Sequence, residues 1–211
     1  MSQIKERPIL FSAPMVRAIL SGQKTVTRRV TKVQPRSDAD IGSYGKGQPF
    51  IRNPDVTKPN PECPYGRPGD RLWVRETWYC DHFEVMRGPY LKPDDLDIGE
   101  ALNDGTLVYA ADGLAPYEQE QPTWKPSIHM PRWVSRILLE ITDVRVERLQ
   151  DISEEQALEE GVMSCEADID PDGIGYSPLE LFGGLWTMIN GDGSWQSNPW
   201  VWVVELKRLI P

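Results

Sequence analysis

Proline and glycine divide this chain into short segments, and that feature limits the folds open to it more than any other. The sequence holds 19 prolines and 17 glycines in 211 residues. Proline lacks a backbone donor and glycine favours turns, so neither suits the interior of a long helix or strand. Several of the segments between their clusters alternate in the manner of strands. The pattern predicts an α+β fold: a small mixed β-barrel with short flanking helices and long inserted loops.

Periodicity locates the regular elements. Apolar residues recur at helical spacing in 15–20, and Gly22 is a natural terminator just after them. The segment 24–30 then alternates β-branched residues as a strand does. Ser153 and Gln156 have the spacing of a capping box at the start of another helix. Further strands are predicted at 72–77, 106–112, 137–142 and 198–209, and a further helical segment at 178–190.

Composition restricts the function classes. The formal net charge is -9, which argues against broad binding of duplex nucleic acid through phosphate neutralisation. No run of about 18 apolar residues exists, and the first ten residues lack the apolar core of a signal peptide. The three cysteines lie far apart and do not predict a disulfide framework. We therefore expect a cytoplasmic protein with no membrane association, no metal site and no bound cofactor.

One stretch runs against the acidic balance of the chain. The sequence SGQKTVTRRV, residues 21–30, carries Lys24, Arg28 and Arg29 interleaved with hydroxyl side chains, and follows directly on the first helix. On composition alone, such a stretch is most often a solvated basic strand end. A local pocket for one nucleotide is the alternative, because a few cations in one place suffice for a single small anion.

Four motifs together resemble those of the ASCH superfamily, whose members are PUA-like β-barrels. They are SGQKTVTRR near the start, GDRLWVRE, ITDVRVERLQDISEEQALEEGV and NPWVWVVELK near the end. The sequence style is similar to that of the ASCH proteins of tailed bacteriophages and prophages. The resemblance spans nearly the whole chain as one domain, 1–211, with insertions at about 34–68, 80–105 and 163–178.

The resemblance implies an activity. Some compact bacterial members of the superfamily are amidohydrolases that remove the acetyl group from N4-acetylcytidine. Their pattern, Gly-x-Lys-x-x-Thr with a later Glu, carries over to Lys24, Thr27 and Glu160 as catalytic residues, with Glu159 as the near alternative to Glu160. This chain is about twice as long as those members, so its insertions can reshape the pocket and change the substrate.

The sequence leaves open which of Lys24 and Glu160 is the catalytic base. In one, a neutral Lys24 activates Thr27 or a water, and Glu160 gives a proton to the leaving amine. In the other, Lys24 stays charged and stabilises the oxyanion while Glu160 is the base. Residues three apart on an extended strand point to opposite faces, so Lys24 and Thr27 converge only if the chain bends between them.

Four further residues are predicted to contact the substrate. Arg29 occupies a basic position of the family motif and suits a phosphate or a base. Glu76 lies on the predicted strand 72–77 and could face the pocket, and His129 lies in a segment rich in basic residues. Trp195 lies in the glycine-rich loop NGDGSWQSNP, where an aromatic ring can stack on a base. The more ordinary roles are an ion pair for Glu76, a structural histidine and a loop anchor.

The expected partner is a nucleoside or nucleotide, with RNA as a further option and the oligomeric state left open. Two other function classes remain: a module that binds RNA or a modified nucleotide without catalysis, and a ribonuclease that uses Lys24. The enzyme needs Lys24, Thr27 and Glu160 in one small cavity. The binding module needs a continuous basic and aromatic groove, and the ribonuclease should ignore acylated nucleosides.

Overall fold

A computed structural model describes residues 3–88, 90–114 and 123–209 and shows a mixed α+β fold. The strands and helices, in chain order, are β1 Glu6–Leu10, α1 Ala13–Leu20, β2 Val26–Val30, β3 Ile41–Ser43, β4 Pro49–Ile51, β5 Arg71–Arg75, β6 Trp78–Cys80, α2 Phe83–Arg87, α3 Ile98–Asn103, β7 Leu107–Tyr109, β8 Leu138–Arg148, α4 Glu154–Glu159, α5 Glu166–Ile169, α6 Pro178–Asn190 and β9 Trp200–Leu209. Short 3₁₀ helices connect several of them.

The central sheet has five strands in the order β1-β5-β8-β9-β2. β1 runs parallel to β5, and the other neighbours are antiparallel. The long strands β8 and β9 pair along most of their length, with a register shift between Ile141 and Asp143. β1 and β2 are the two edges and do not pair with each other, so the expected barrel is not closed among the described residues.

The main hydrophobic core lies between this sheet and the helices α1, α4 and α6. On α1, Met15, Val16 and Ile19 are buried, which is the face predicted from their helical spacing. Leu181 of α6 is also fully buried in this core. β9 is buried on both faces over its first five residues, because helices and loops cover both sides of the sheet there.

The three insertions contain more regular structure than their composition indicates. The first holds the β3–β4 pair, the second holds α2 and α3, and the third holds α5. Side chains of His82 and Asp97 cap α2 and α3, and capped short helices carry little apolar periodicity to reveal them. The pair β6 and β7 supports a second, smaller core around Trp78, Tyr109 and Met130.

A tight junction joins α1, α4 and the start of β2. The Lys24 backbone N–H donates to Ala18 at 3.0 Å, and the Thr25 N–H donates to Glu159 at 2.9 Å. The capping box of Ser153 and Gln156 begins α4 as predicted, and the helix ends at Glu159. Gly161 follows with φ of 80°, in the left-handed region that glycine tolerates best. The junction therefore fixes the backbone positions from which the side chains of Lys24 and Glu160 extend.

None of the described helices is long and apolar enough to cross a bilayer. Within the same ranges, no group of three or more His, Cys, Asp or Glu residues is arranged to hold a metal ion.

Replacing Gly161 with alanine tests how tightly this junction is packed. A Cβ there would lie 2.7 Å from the Ala18 Cβ and 3.1 Å from the Lys24 Cβ. Left-handed strain and overpacking together should lower the free energy of unfolding by about 2–5 kcal/mol. Gly113→Ala is the matched control, since Gly113 has φ of 70° with nothing within 4 Å. It should cost only the strain, about 1–2 kcal/mol. Equal losses in urea unfolding would show that the junction is loose.

Candidate active site

A pocket of about 510 Å³ lies where β2, α6 and the segment from Leu10 to Met15 meet. Its charged side chains are Lys24, Arg28, Arg29 and Glu160. Apolar and aromatic groups form the remaining lining, chiefly Phe11, Met15, Tyr65, Phe182, Leu185 and Trp186. The volume falls within the usual range for small-molecule sites, about 300–1,000 Å³. A few charged groups against apolar walls are typical of sites that orient a small polar ligand.

Lys24 and Glu160 form a buried pair in this pocket. The Lys24 ammonium donates to Glu160 Oε2 at 2.7 Å, to the Glu160 carbonyl at 2.8 Å and to the Val26 carbonyl at 2.8 Å. Their side chains are only 2% and 6% exposed. The fold therefore brings together Lys24 and Glu160, which are 136 residues apart in the chain. All three ammonium hydrogens are occupied in this arrangement.

Arg28 completes the charged cluster. Its guanidinium donates to Glu160 Oε1 at 3.2 Å and to Gln156 Oε1 at 2.9 Å, and lies 3.6 Å from a carboxylate oxygen of Glu147. The Arg28 side chain is fully buried. Glu160 is thus shared between two cations, one on each carboxylate oxygen. An ion pair taken out of water stabilises little unless such additional hydrogen bonds are made.

Opposing influences act on the pKa of Lys24. Burial is the largest, and it lowers the pKa below the ordinary lysine value because the charged ammonium loses its hydration. The Glu160 carboxylate opposes this by attraction and by its hydrogen bond. Arg29 and Arg28 lower the pKa further by like-charge repulsion. The net direction is downward, so burial weakens the preference of Lys24 for its charged form.

Arg29 lies on the pocket wall with backbone acceptors only. Its guanidinium donates to the carbonyls of Leu10 and Arg28, each at 3.2 Å, and sits 5.4 Å from the centre of the Phe11 ring. Among the described residues it has no carboxylate within salt-bridge distance. Its charge is therefore available to an anionic or carbonyl group of a ligand.

Thr27 is not part of the pocket lining. It is fully buried, pairs with Val204 of β9, and its hydroxyl has no hydrogen-bond partner among the described residues. The strand stays extended from Val26 to Val30 without the bend that would turn Thr27 toward Lys24. Side chains alternate along a strand, so Thr27 and Arg28 point to opposite faces. The structure thus places Arg28, and not Thr27, beside Lys24 and Glu160.

Glu76 belongs to a different charged cluster. Arg136 donates to both of its carboxylate oxygens, at 2.9 and 3.0 Å, and also to both oxygens of Asp112. The Arg136 guanidinium lies 3.9 Å from the centre of the Tyr109 ring. Burial raises the pKa of Glu76, and the paired Arg136 opposes that rise. Glu76 therefore makes an ion pair in the fold and does not line the pocket, although the next residue, Thr77, does.

His129 and Trp195 also lie outside the pocket lining. His129 is exposed in a 3₁₀ helix, with its ring 6.4 Å from that of Tyr90. Trp195 packs edge-on against Phe182 at 5.9 Å and covers Gly183, where a Cβ would approach its indole to 3.3 Å. Trp195 thus anchors its glycine-rich loop to α6 and stands behind the pocket wall that Phe182 forms.

Two parts of the site are not among the site residues predicted from the sequence. Arg28 is noted in the sequence as one cation of the basic stretch, but its contact with Glu160 depends on the end of α4, which no local pattern in β2 indicates. Phe182 and Trp186 are four apart on α6 and so point to one side of that helix. The Trp186 indole N–H is buried with no hydrogen-bond partner among the described residues. A buried donor without a partner lowers the stability of the fold.

Comparisons with family models, with curated proteins and with solved structures find no match to this chain. The chemistry of the pocket therefore has to carry the functional assignment. A lysine whose pKa is lowered, a carboxylate in contact with it and guanidinium donors nearby are together suited to general acid–base chemistry on a small polar substrate.

Replacing Arg136 tests whether Glu76 has the structural role described above. Arg136→Met leaves a buried carboxylate without its cation, which should lower the free energy of unfolding by about 3–5 kcal/mol. Arg132→Met is the control, because Arg132 pairs with Glu6 at 3.1 Å on the surface. That change should cost no more than about 1 kcal/mol. A small loss for Arg136→Met in denaturant unfolding would mean that Glu76 is free for another role.

Proposed function

We propose that this chain is an ASCH-type protein with a PUA-like domain and that it hydrolyses the amide of N4-acylated cytosine nucleosides, of which N4-acetylcytidine is the model. The observation that carries the proposal is the contact between Lys24 and Glu160, 2.7 Å long, in the wall of a pocket large enough for a nucleoside. These are the two charged residues that the family pattern makes catalytic. The protein is expected to act in the cytoplasm of a bacterial host, as a phage or prophage product.

The reaction begins with water in the pocket. Neutral Lys24 takes a proton from this water as its oxygen attacks the acyl carbon, so that a C–O bond forms and the carbonyl becomes an oxyanion. Water replaces Thr27 as the nucleophile in this proposal because Thr27 does not line the pocket. Of the three cations that line the pocket, Arg29 is the one without a carboxylate partner among the described residues, and it stabilises the oxyanion.

The second half of the reaction returns the proton. Lys24 passes it to Glu160 Oε2 along the existing 2.7 Å hydrogen bond, and Glu160 delivers it to the exocyclic nitrogen as the C–N bond breaks. The products are the free carboxylic acid and the cytosine nucleoside. No metal or cofactor takes part in these steps.

The pocket walls suit a flat heterocycle. Phe11, Phe182 and Trp186 offer aromatic surface to a base. The guanidinium of Arg29 would also serve a phosphate, so a nucleotide or the end of an RNA strand fits the same site.

The three cysteines support the proposed compartment. Cys63, Cys80 and Cys165 are buried and none forms a disulfide. Burial raises the pKa of Cys63 to about 11. Unpaired thiols are usual in reducing compartments such as the bacterial cytoplasm.

A binding module without catalysis is the second candidate, and one observation favours it. The Lys24 ammonium already donates to three acceptors, so it is well placed to hold Glu160 still and poorly placed to accept a proton. In that case the pocket recognises a modified base or nucleotide through Arg29 and the aromatic walls, and Glu160 serves as a fixed acceptor.

Incubation with N4-acetylcytidine, followed by ultraviolet absorbance, tests the proposal. The wild-type chain should convert it to cytidine, and Lys24→Met should lower kcat/KM by about 10²–10⁴-fold because the base is lost. Thr27→Val, which keeps the shape of the side chain, should retain activity within a few-fold.

Each outcome has a separate meaning. Loss of activity in Thr27→Val alone would place its hydroxyl at the reacting carbon and overturn the water mechanism. Absence of conversion by the wild type, combined with micromolar binding of cytidine in calorimetry, would support the binding module. Cleavage of RNA by a chain that leaves N4-acetylcytidine intact would point to the ribonuclease.

A further inference from the structure

We propose that Arg28 is a positioning residue: by holding one carboxylate oxygen of Glu160, it leaves Lys24 only the other oxygen and so allows the Lys24 amine to give up its proton. The inference deepens the proposed function and rests on it for its catalytic meaning. Arg28 is not one of the three residues of the Lys, Thr and Glu pattern. It acts on the reaction through Glu160 and Lys24 and not by contact with the reacting atoms.

The position of Arg28 is itself fixed from the helix side. Its guanidinium donates to Gln156 Oε1 at 2.9 Å, and the same oxygen accepts the Ser153 backbone N–H at 3.2 Å in the capping box of α4. On the strand side, Arg28 belongs to β2, which pairs with β9 at Val203. The guanidinium is therefore tied to both elements that carry the site, and it reaches Glu160 Oε1 at 3.2 Å from that fixed place.

The arrangement divides the Glu160 carboxylate between two cations. Lys24 binds Oε2 and Arg28 binds Oε1. Without Arg28, Lys24 would be the only cation in contact with the carboxylate, and the attraction that keeps Lys24 charged would increase. Glu147 approaches Arg28 at 3.6 Å from β8, which partly balances the guanidinium charge and leaves the contact with Glu160 in place.

The other charged or titratable groups around Lys24 make a specific comparison possible. Arg28 and Arg29 approach from β2, Glu160 from the end of α4, and Cys165 from the 3₁₀ helix that follows. Arg28 and Arg29 both repel a charged Lys24, but only Arg28 touches Glu160. A variant at Arg29 therefore removes a neighbouring charge alone, whereas a variant at Arg28 removes a charge and also releases the carboxylate.

Titration of the Lys24 side chain by NMR, with ¹³Cε-labelled lysine in the full chain, tests this directly. The Lys24 resonance is assigned by its loss in Lys24→Arg. Loss of either positive neighbour raises the lysine pKa, and Arg28→Gln should raise it by about one unit or more because Glu160 is released as well. Arg29→Gln is the matched control and should raise it by clearly less. A shift in Arg28→Gln no larger than that in Arg29→Gln would overturn the proposal, because Arg28 would then act as a charge only.

Two further measurements keep the test decisive. If Arg28→Gln does not fold, Arg28→Lys retains the charge, but its single ammonium cannot hold Gln156 and Glu160 with a planar fork. The Lys24 pKa should still rise above that of the wild type, and an unchanged value would contradict the inference.

The N4-acetylcytidine assay gives the second measurement. The pH at which kcat/KM is half-maximal should rise above that of the wild type, and it should rise further in Arg28→Gln than in Arg29→Gln. A wild type without turnover defeats the proposed function, while the NMR comparison still decides the role of Arg28.

Discussion

The candidate site depends on one buried ion pair, between Lys24 at the entry to β2 and Glu160 at the end of α4. The ammonium also donates to the carbonyls of Val26 and Glu160, so the pair joins strand, helix end and side chain at a single point. Removing two charges from water is costly, and these extra hydrogen bonds with the contact to Arg28 are what offset that cost. Apolar residues of α6, among them Phe182, Leu185 and Trp186, line the pocket together with this ion pair.

Burial of the ion pair costs stability, and it also changes the protonation chemistry of Lys24. A lysine in apolar surroundings loses part of its preference for the charged state, and a carboxylate one hydrogen bond away can exchange a proton with it. Phe11 and Phe182 place apolar surface beside the charged groups, and a less polar environment strengthens the interactions between them. Desolvation of Lys24 and Glu160 thus opposes folding and, at the same time, lowers the pKa of Lys24.

Local signals in the sequence were enough for several elements. The spacing of apolar residues in α1, the capping box of α4 and the alternation in β2 predicted elements that the structure contains. The insertions were harder, because the short elements β3, β4, α2, α3 and α5 carry little apolar periodicity. The strand predicted at 106–112 contains β7, but its pairing with β6 is non-local and has no signal in the sequence. Closure of the sheet is also non-local, and the edges β1 and β2 stay unpaired with each other.

The direction of individual side chains was the least predictable feature. The meeting of Lys24 and Glu160 was expected from the family resemblance and not from their spacing. Glu76 turns to Arg136 and Trp195 turns to Phe182, and both choices depend on residues far away in the chain. Arg28 reaches the site from β2 by donating to Glu160 and Gln156. Sequence patterns fix which face a residue can occupy, but tertiary packing decides which face is the pocket.

A crystal structure of the Lys24→Met variant with N4-acetylcytidine bound would test the central claim most directly. The account predicts the cytosine ring between the aromatic walls, with its acylated nitrogen within hydrogen-bond distance of Glu160 and its carbonyl oxygen toward Arg29. A nucleoside bound elsewhere on the surface, or one whose ribose and not its amide faces Glu160, would contradict it.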